Sequence, residues 1–140
     1  MLIDQVREWG EVEFTAPATK KQLAGAESAL SHPLPDELRQ VLSESNGLVG
    51  EYGLGLVWDI ERIVADNLMF RSNSDFAALY MSFDSMTFFA DGGNGDQFAI
   101  PTVGNQSDVF VWNHEDDSRM WVAPSVIEYL KRWMSGALTI

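Results

Sequence analysis

Two short stretches hold most of the residues able to do chemistry. FFADGGNGDQFAI, Phe88 to Ile100, sets Asp91 and Asp96 around a run rich in glycine. WNHEDDSR, Trp112 to Arg119, gathers His114, Glu115, Asp116 and Asp117. Glycines beside carboxylates suggest a phosphate cradle, a cation site or a tight turn. A dinucleotide fingerprint needs G-x-G-x-x-G leading from a strand into a helix. Here Phe98 stands where the third glycine should be, and the residues that follow have strand character. A phosphate loop also needs a lysine, which is missing nearby, and Asp91 and Asp96 would repel the anion. Calcium suits aspartates and freed carbonyls better. The EF-hand spacing and its closing glutamate are nevertheless absent. In the calcium-binding nonapeptide pattern, Gln97 replaces the aspartate and the unit occurs once. A hairpin turn with positive φ at its glycines accounts for the same residues.

The second stretch invites a zinc reading that its spacing does not complete. In H-E-x-x-H the second histidine would fall at Ser118, and the other histidine of the chain is the distant His32. We expect no metal site and no cofactor, and we read Trp112–Arg119 as a turn between strands. In it Asp116 or Asp117 bonds the following backbone and Arg119 pairs with an acid across the hairpin. The chain has no cysteine, which removes thiolate catalysis, disulfides and cysteine-ligated zinc. A Ser–His–Asp site lacks its G-x-S-x-G elbow, and no pair of acids stands out for glycoside hydrolysis. No catalytic residues are assigned and no enzyme is expected. A small metal-binding or hydrolytic enzyme using the acidic loops stays as a third reading.

Charge narrows the partner classes. Twenty-one acids against nine bases leave a net charge of −12 and a pI near 4.3. Nucleic-acid binding requires neutralisation of phosphates by Lys and Arg, so it is not expected. Between Ser72 and Ser118 there is no Lys or Arg, while Asp75, Asp84, Asp91, Asp96, Asp108, Glu115, Asp116 and Asp117 all fall there. A solvated surface that aids solubility explains this. So does a docking face for a basic protein, with Asp91, Asp96, Glu115, Asp116 and Asp117 as its binding residues. For that face to exist the two turns must lie together at one end of a sheet. If the five acids only repel one another, neutralising them leaves folding at least as stable.

The elements that must position these turns follow from periodicity. At 140 residues, 46% of them hydrophobic, the chain fits one domain, 1–140, with a real core. The start MLIDQVREWGEVEF has acids where a secretory signal needs an apolar run. No segment approaches the roughly 18 apolar residues of a membrane span. A cytoplasmic protein without membrane contact is expected. Thr19 and Gln22 form a capping box ahead of Leu23, Ala26 and Leu30 at helical spacing. Pro35 suits the first position of a second helix with Leu38, Val41 and Leu42 on its buried stripe, ended by Asn46-Gly47. Asp59 caps a third, with Ile60, Ile63, Val64 and Asn67 on one face. Apolar runs at 86–90, 97–100, 109–112 and 120–123 then suit antiparallel strands, the all-apolar VFVW being central. Ser125 and Glu128 open a last helix carrying Val126, Tyr129, Leu130 and Trp133. The predicted class is α+β, a largely antiparallel sheet flanked by N-terminal helices and one C-terminal helix.

The order of five segments carries a resemblance. LPDELRQVLSESNG, LVWDIERIVADN, FFADGGNGDQFAI, VFVWNHEDDSR and VAPSVIEYL follow one another in a way that resembles the SUKH superfamily, from about Thr19 to Trp133. That group takes its name in part from a fungal cell-wall synthesis regulator and includes many bacterial immunity proteins. The resemblance implies an α+β domain without catalytic residues. It implies a protein partner, in bacterial members a toxin and often a nuclease, and in the fungal regulators another protein of the host. A regulatory interaction scaffold is therefore the alternative to an immunity protein. A nuclease toxin is basic because it holds phosphates, so an acidic face would match it. Leu34, Pro35, Leu38, Asn46, Gly47, Trp58, Gly95, Trp112 and Ser125 look structural within the matched motifs.

Overall fold

The structure, a computed structural model, describes residues 2–102 and 107–138. Helix α1 (Leu2–Trp9) and strand β1 (Glu13–Phe14) are followed by α2 (Lys20–Leu30) and α3 (Asp36–Glu44). Strands β2 (Leu48–Val49) and β3 (Gly55–Val57) flank a single 3-10 turn at Glu51–Gly53. Helices α4 (Ile60–Ser72) and α5 (Ser74–Leu79) lead into β4 (Met86–Asp91), β5 (Gln97–Pro101), β6 (Val109–Trp112) and β7 (Arg119–Ala123), and α6 (Val126–Met134) follows. Strands β1-β2-β3 form one antiparallel sheet and β4-β5-β6-β7 another. The α+β class expected from sequence is the observed one, with a second, small sheet added to the predicted one. A hydrogen bond from the Trp58 amide to the Phe89 carbonyl, 2.7 Å, joins them.

Local chemistry explains where the helices begin. Thr19 Oγ1 accepts the Gln22 amide while the Gln22 side chain accepts the Thr19 amide, so the capping box ties off two orphan donors of α2. Asp59 caps α4 by accepting the Arg62 amide at 2.9 Å, and Ser125 caps α6 by accepting the Glu128 amide at 3.1 Å. The end of α3 differs from expectation. Ser45 takes an extended conformation there, and Asn46 turns its Oδ1 onto the Ile60 amide at the start of α4. Asn46-Gly47 thus joins two helices instead of terminating one. Pro35 stands just before the first residue of α3, where its missing N–H costs nothing.

The four-stranded sheet is covered on both faces. Phe88 and Trp112 pack with Phe70 of α4 and with Phe83, while Phe89 and Phe98 meet Tyr129 of α6. Alternation along each strand sends neighbouring residues to opposite layers, which is why Phe88 and Phe89 can both be fully buried. Tyr129 is buried as well, and its hydroxyl donates to the Leu56 carbonyl at 2.9 Å. Strand β6 lies inside the sheet as VFVW predicted. Helices α1 and α5 and the strands β1–β3 were not anticipated. Strands of two or three residues are too short to show a period of two, and α1 buries only Leu2 and Val6.

Candidate functional site

Successive connections in an antiparallel sheet alternate ends, so the β4–β5 and β6–β7 turns emerge side by side. His114 Nδ1 lies 2.6 Å from Asp96 Oδ1, and the His114 amide donates to the same oxygen at 3.2 Å. The β4–β5 turn is a hairpin turn with φ of +88° at Gly93 and +96° at Gly95, closed by the Gly92 amide donating to the Asp96 carbonyl at 2.8 Å. In the second turn the Asn113 amide donates to Ser118 O and the Asp117 amide to Asn113 O, both at 2.9 Å. Asn113 Oδ1 accepts from the Glu115 amide and Asp116 Oδ1 from the Ser118 amide, each at 2.9 Å. Asp117 takes φ +61°, a region that aspartate tolerates better than most residues.

The five acids singled out in the sequence are brought to one end of the sheet and then sort into two kinds. Asp91 is clamped by Arg62, whose Nη1 and Nη2 donate to its two oxygens at 2.7 and 2.8 Å. The same guanidinium donates to Asp66 at 3.1 Å and lies 4.1 Å above the Trp58 ring. Asp96 is buried, with 6% of its surface exposed, between His114 and its own turn. Asp117 accepts from the Trp112 indole at 2.8 Å, from Arg119 at 3.1 Å and from the Met81 amide at 2.9 Å. Glu115 and Asp116 are exposed. Three acids therefore build the scaffold and two are displayed. Sequence reasoning missed Arg62, because its partner lies 29 positions away and no local pattern couples them.

Electrostatics follow the same division. Burial pushes the Asp117 carboxyl up, but the Met81 amide, the Trp112 indole and Arg119 outweigh it and hold it below the usual carboxylate range. Bonds from the Ser118 amide and hydroxyl lower the exposed Asp116 carboxyl too. These bonds change what neutralisation does. Asp117→Asn keeps one acceptor oxygen where two are used, and it should cost about 2 kcal/mol, in the range for hydrogen bonds to charged groups. Because the folded Asp117 is the more acidic form, its stabilisation is present above the unfolded carboxylate pKa, about 3.9, and is lost as pH falls below it. Urea unfolding at pH 7 and pH 3 should show the wild-type advantage over Asp117→Asn shrinking on acidification. Glu115→Gln and Asp116→Asn, with exposed side chains, should leave the unfolding midpoint close to wild type. A loss in those two as large as in Asp117→Asn would contradict this division.

Among the described residues no three His, Asp or Glu side chains are grouped to hold an ion. No described helix is long and apolar enough to cross a membrane. Beside the β4–β5 turn, Tyr52, Leu54, Asn94 and Trp133 line a broad open depression of about 850 Å³. It lacks the enclosure that small-molecule sites usually have.

The fold and its acidic sheet end are those of an α+β protein whose distinctive chemistry lies on its surface. A profile of the SMI1-KNR4 cell-wall family, SUKH_6, matches residues 20–130, and the chain belongs to this family. The five segments that suggested the SUKH superfamily all lie within that match. Membership is consistent with a non-catalytic role in binding proteins. No curated protein matches the chain.

Proposed function

We propose that this chain is a non-catalytic protein-binding domain acting as an immunity protein that neutralises a cognate toxin. A basic nuclease is the kind of toxin its charge suits best. The observation that carries the reading is the pair Glu115 and Asp116, exposed on a turn inside a stretch that runs from Ser72 to Ser118 without a lysine or arginine. A toxin that grips phosphates presents cations, and a carboxylate-bearing turn is steered to them and competes with the nucleic acid. Asp91, Asp96 and Asp117 serve the same site indirectly by holding the two turns rigid.

The test takes a toxin that the chain neutralises, sought first among the products of neighbouring genes, and follows association by stopped-flow. At low ionic strength Glu115→Gln/Asp116→Asn should associate several-fold more slowly than wild type. The gap should close in high salt, because rim charges act mainly on association rate and are screened. Equal rates in both buffers would remove this turn from the interface. Failure of the chain to protect against any toxin so sought would refute the immunity reading itself.

A further inference from the structure

Strand β7 ends the four-stranded sheet, with β6 on one side and, among the described residues, no strand on the other. Such an edge offers unpaired backbone N–H and C=O groups, and native proteins usually guard it with a charge, a proline or a cover. Here the guards are displaced. Arg119 is the one charged residue in the strand, and its guanidinium is turned inward onto Asp117, the Met81 and Ser82 carbonyls and the Phe83 ring. Arg132 of α6 reaches the edge only at its far half, donating to the Val122 carbonyl at 2.9 Å and lying 5.7 Å from the Trp121 ring. Between these two arginines stand Met120 and Trp121, 63% and 50% exposed. Met81, also 63% exposed, is held at the entrance to β7 because its amide and carbonyl are bound by Asp117 and Arg119.

The rim of this apolar edge is acidic. Glu115 and Asp116 lie in the turn that enters β7, Asp84 is exposed just beyond Met81, and Asp108 accepts the Trp121 indole at 3.0 Å. We propose that the open edge of β7 receives an extended, basic and apolar segment of a partner protein as a fifth strand. The added strand would pair with the outward backbone groups and set apolar side chains beside Met120 on one face of the sheet and Trp121 on the other, and its cations would meet the acidic rim. Methionines suit this role because an unbranched thioether adapts to differing side chains. A second copy of this chain is the wrong occupant, since a net charge of −12 would bring acidic rim against acidic rim. The inference rests on the protein-binding reading but not on the partner being a toxin.

The probe is a fluorescein-labelled ten-residue peptide with two lysines at each end and six valines between them, apolar on both faces as an added strand, titrated into the full chain by anisotropy. Controls are a glutamate–valine peptide and a lysine–valine peptide interrupted by prolines. We expect saturable binding of the first peptide alone and slowed amide exchange confined to Arg119–Ala123. Met120→Ser/Trp121→Ser should lower affinity at least tenfold. That variant keeps the net charge, and both side chains are exposed, so its unfolding midpoint should stay close to wild type. Equal binding of the proline-interrupted peptide, undiminished binding to the variant, or protection elsewhere than β7 would overturn the proposal. So would concentration-dependent self-association that the variant abolishes, which would make β7 an interface between copies. If peptide binding fails at β7 while Glu115→Gln/Asp116→Asn still slows association with a partner, the functional reading survives and this inference alone falls.

Discussion

Asn67→Ala should lower the unfolding free energy by about 3 kcal/mol. Asn67 is completely buried on the inner stripe of α4, between Ile63 and Phe70. Its Oδ1 accepts the Phe88 amide at 2.8 Å, and its Nδ2 donates to the carbonyls of Phe88 at 2.8 Å and Ile63 at 2.7 Å. One amide side chain thus satisfies both backbone groups of Phe88 and locks α4 to β4. Alanine leaves those groups unpaired away from water, at about 1–3 kcal/mol each, and adds a cavity. Asn67→Leu refills most of the volume without restoring a bond, so it should retain most of the loss. Urea denaturation of both variants decides. A cost below about 1 kcal/mol for Asn67→Ala would mean that water or a shift of α4 replaces the side chain.

Gly47→Ala should cost about 2 kcal/mol, more than Gly95→Ala. Gly47 has φ +103°, and a methyl group there would lie 3.1 Å from the Asp59 amide nitrogen and 3.2 Å from the Val57 carbonyl oxygen. Those are backbone atoms pinned at the junction of β3 and α4. The junction is further fixed by Ser45, whose hydroxyl donates to the Gly47 carbonyl at 2.7 Å and accepts the Thr15 amide at 2.9 Å. Left-handed strain and crowding therefore add, with nothing free to move. At Gly95, φ +96°, the methyl would come within 2.8 Å of His114 Cε1, but that ring is 39% exposed and can swing aside. The expected loss there is about 1 kcal/mol, with weakening of the Asp96–His114 contact. Equal unfolding midpoints for the two variants would show that the backbone at Gly47 yields.

The comparison of these two glycines shows where pattern reading reaches its limit. Gly95 was legible as a turn residue because its neighbours Gly93, Asn94 and Asp96 are turn formers in sequence. Gly47 was legible only as a glycine after a helix, and its role as a close approach to β3 and α4 depends on residues ten and twelve positions later. Asn67 is a sharper case. Helical spacing placed it on the stripe of Ile60 and Ile63, yet the one local bond, to the Ile63 carbonyl, leaves most of a buried amide unexplained. Its partner is β4, which the chain reaches after α5 and a further loop.

The sequence by itself determined the α+β class, the capped starts of α2, α4 and α6, the four long strands and the turn character of both acidic stretches. It also set the strongly acidic balance of charge, −12, which suits a protein partner that carries cations. These are properties of neighbours in the chain: periods of two and 3.6, side chains that reach backbone two or three residues on, and summed charge. Tertiary structure alone decided which carboxylates are free. Asp91 and Glu115 are the same chemistry at one end of the sheet, but Arg62 arrives at Asp91 from α4 and no Lys or Arg arrives at Glu115 among the described residues. It likewise decided that β7 is an edge and that Arg119 is turned away from it. Strand order and long-range ion pairs depend on how packed faces meet, and that meeting is written in no stretch of sequence short enough to read locally.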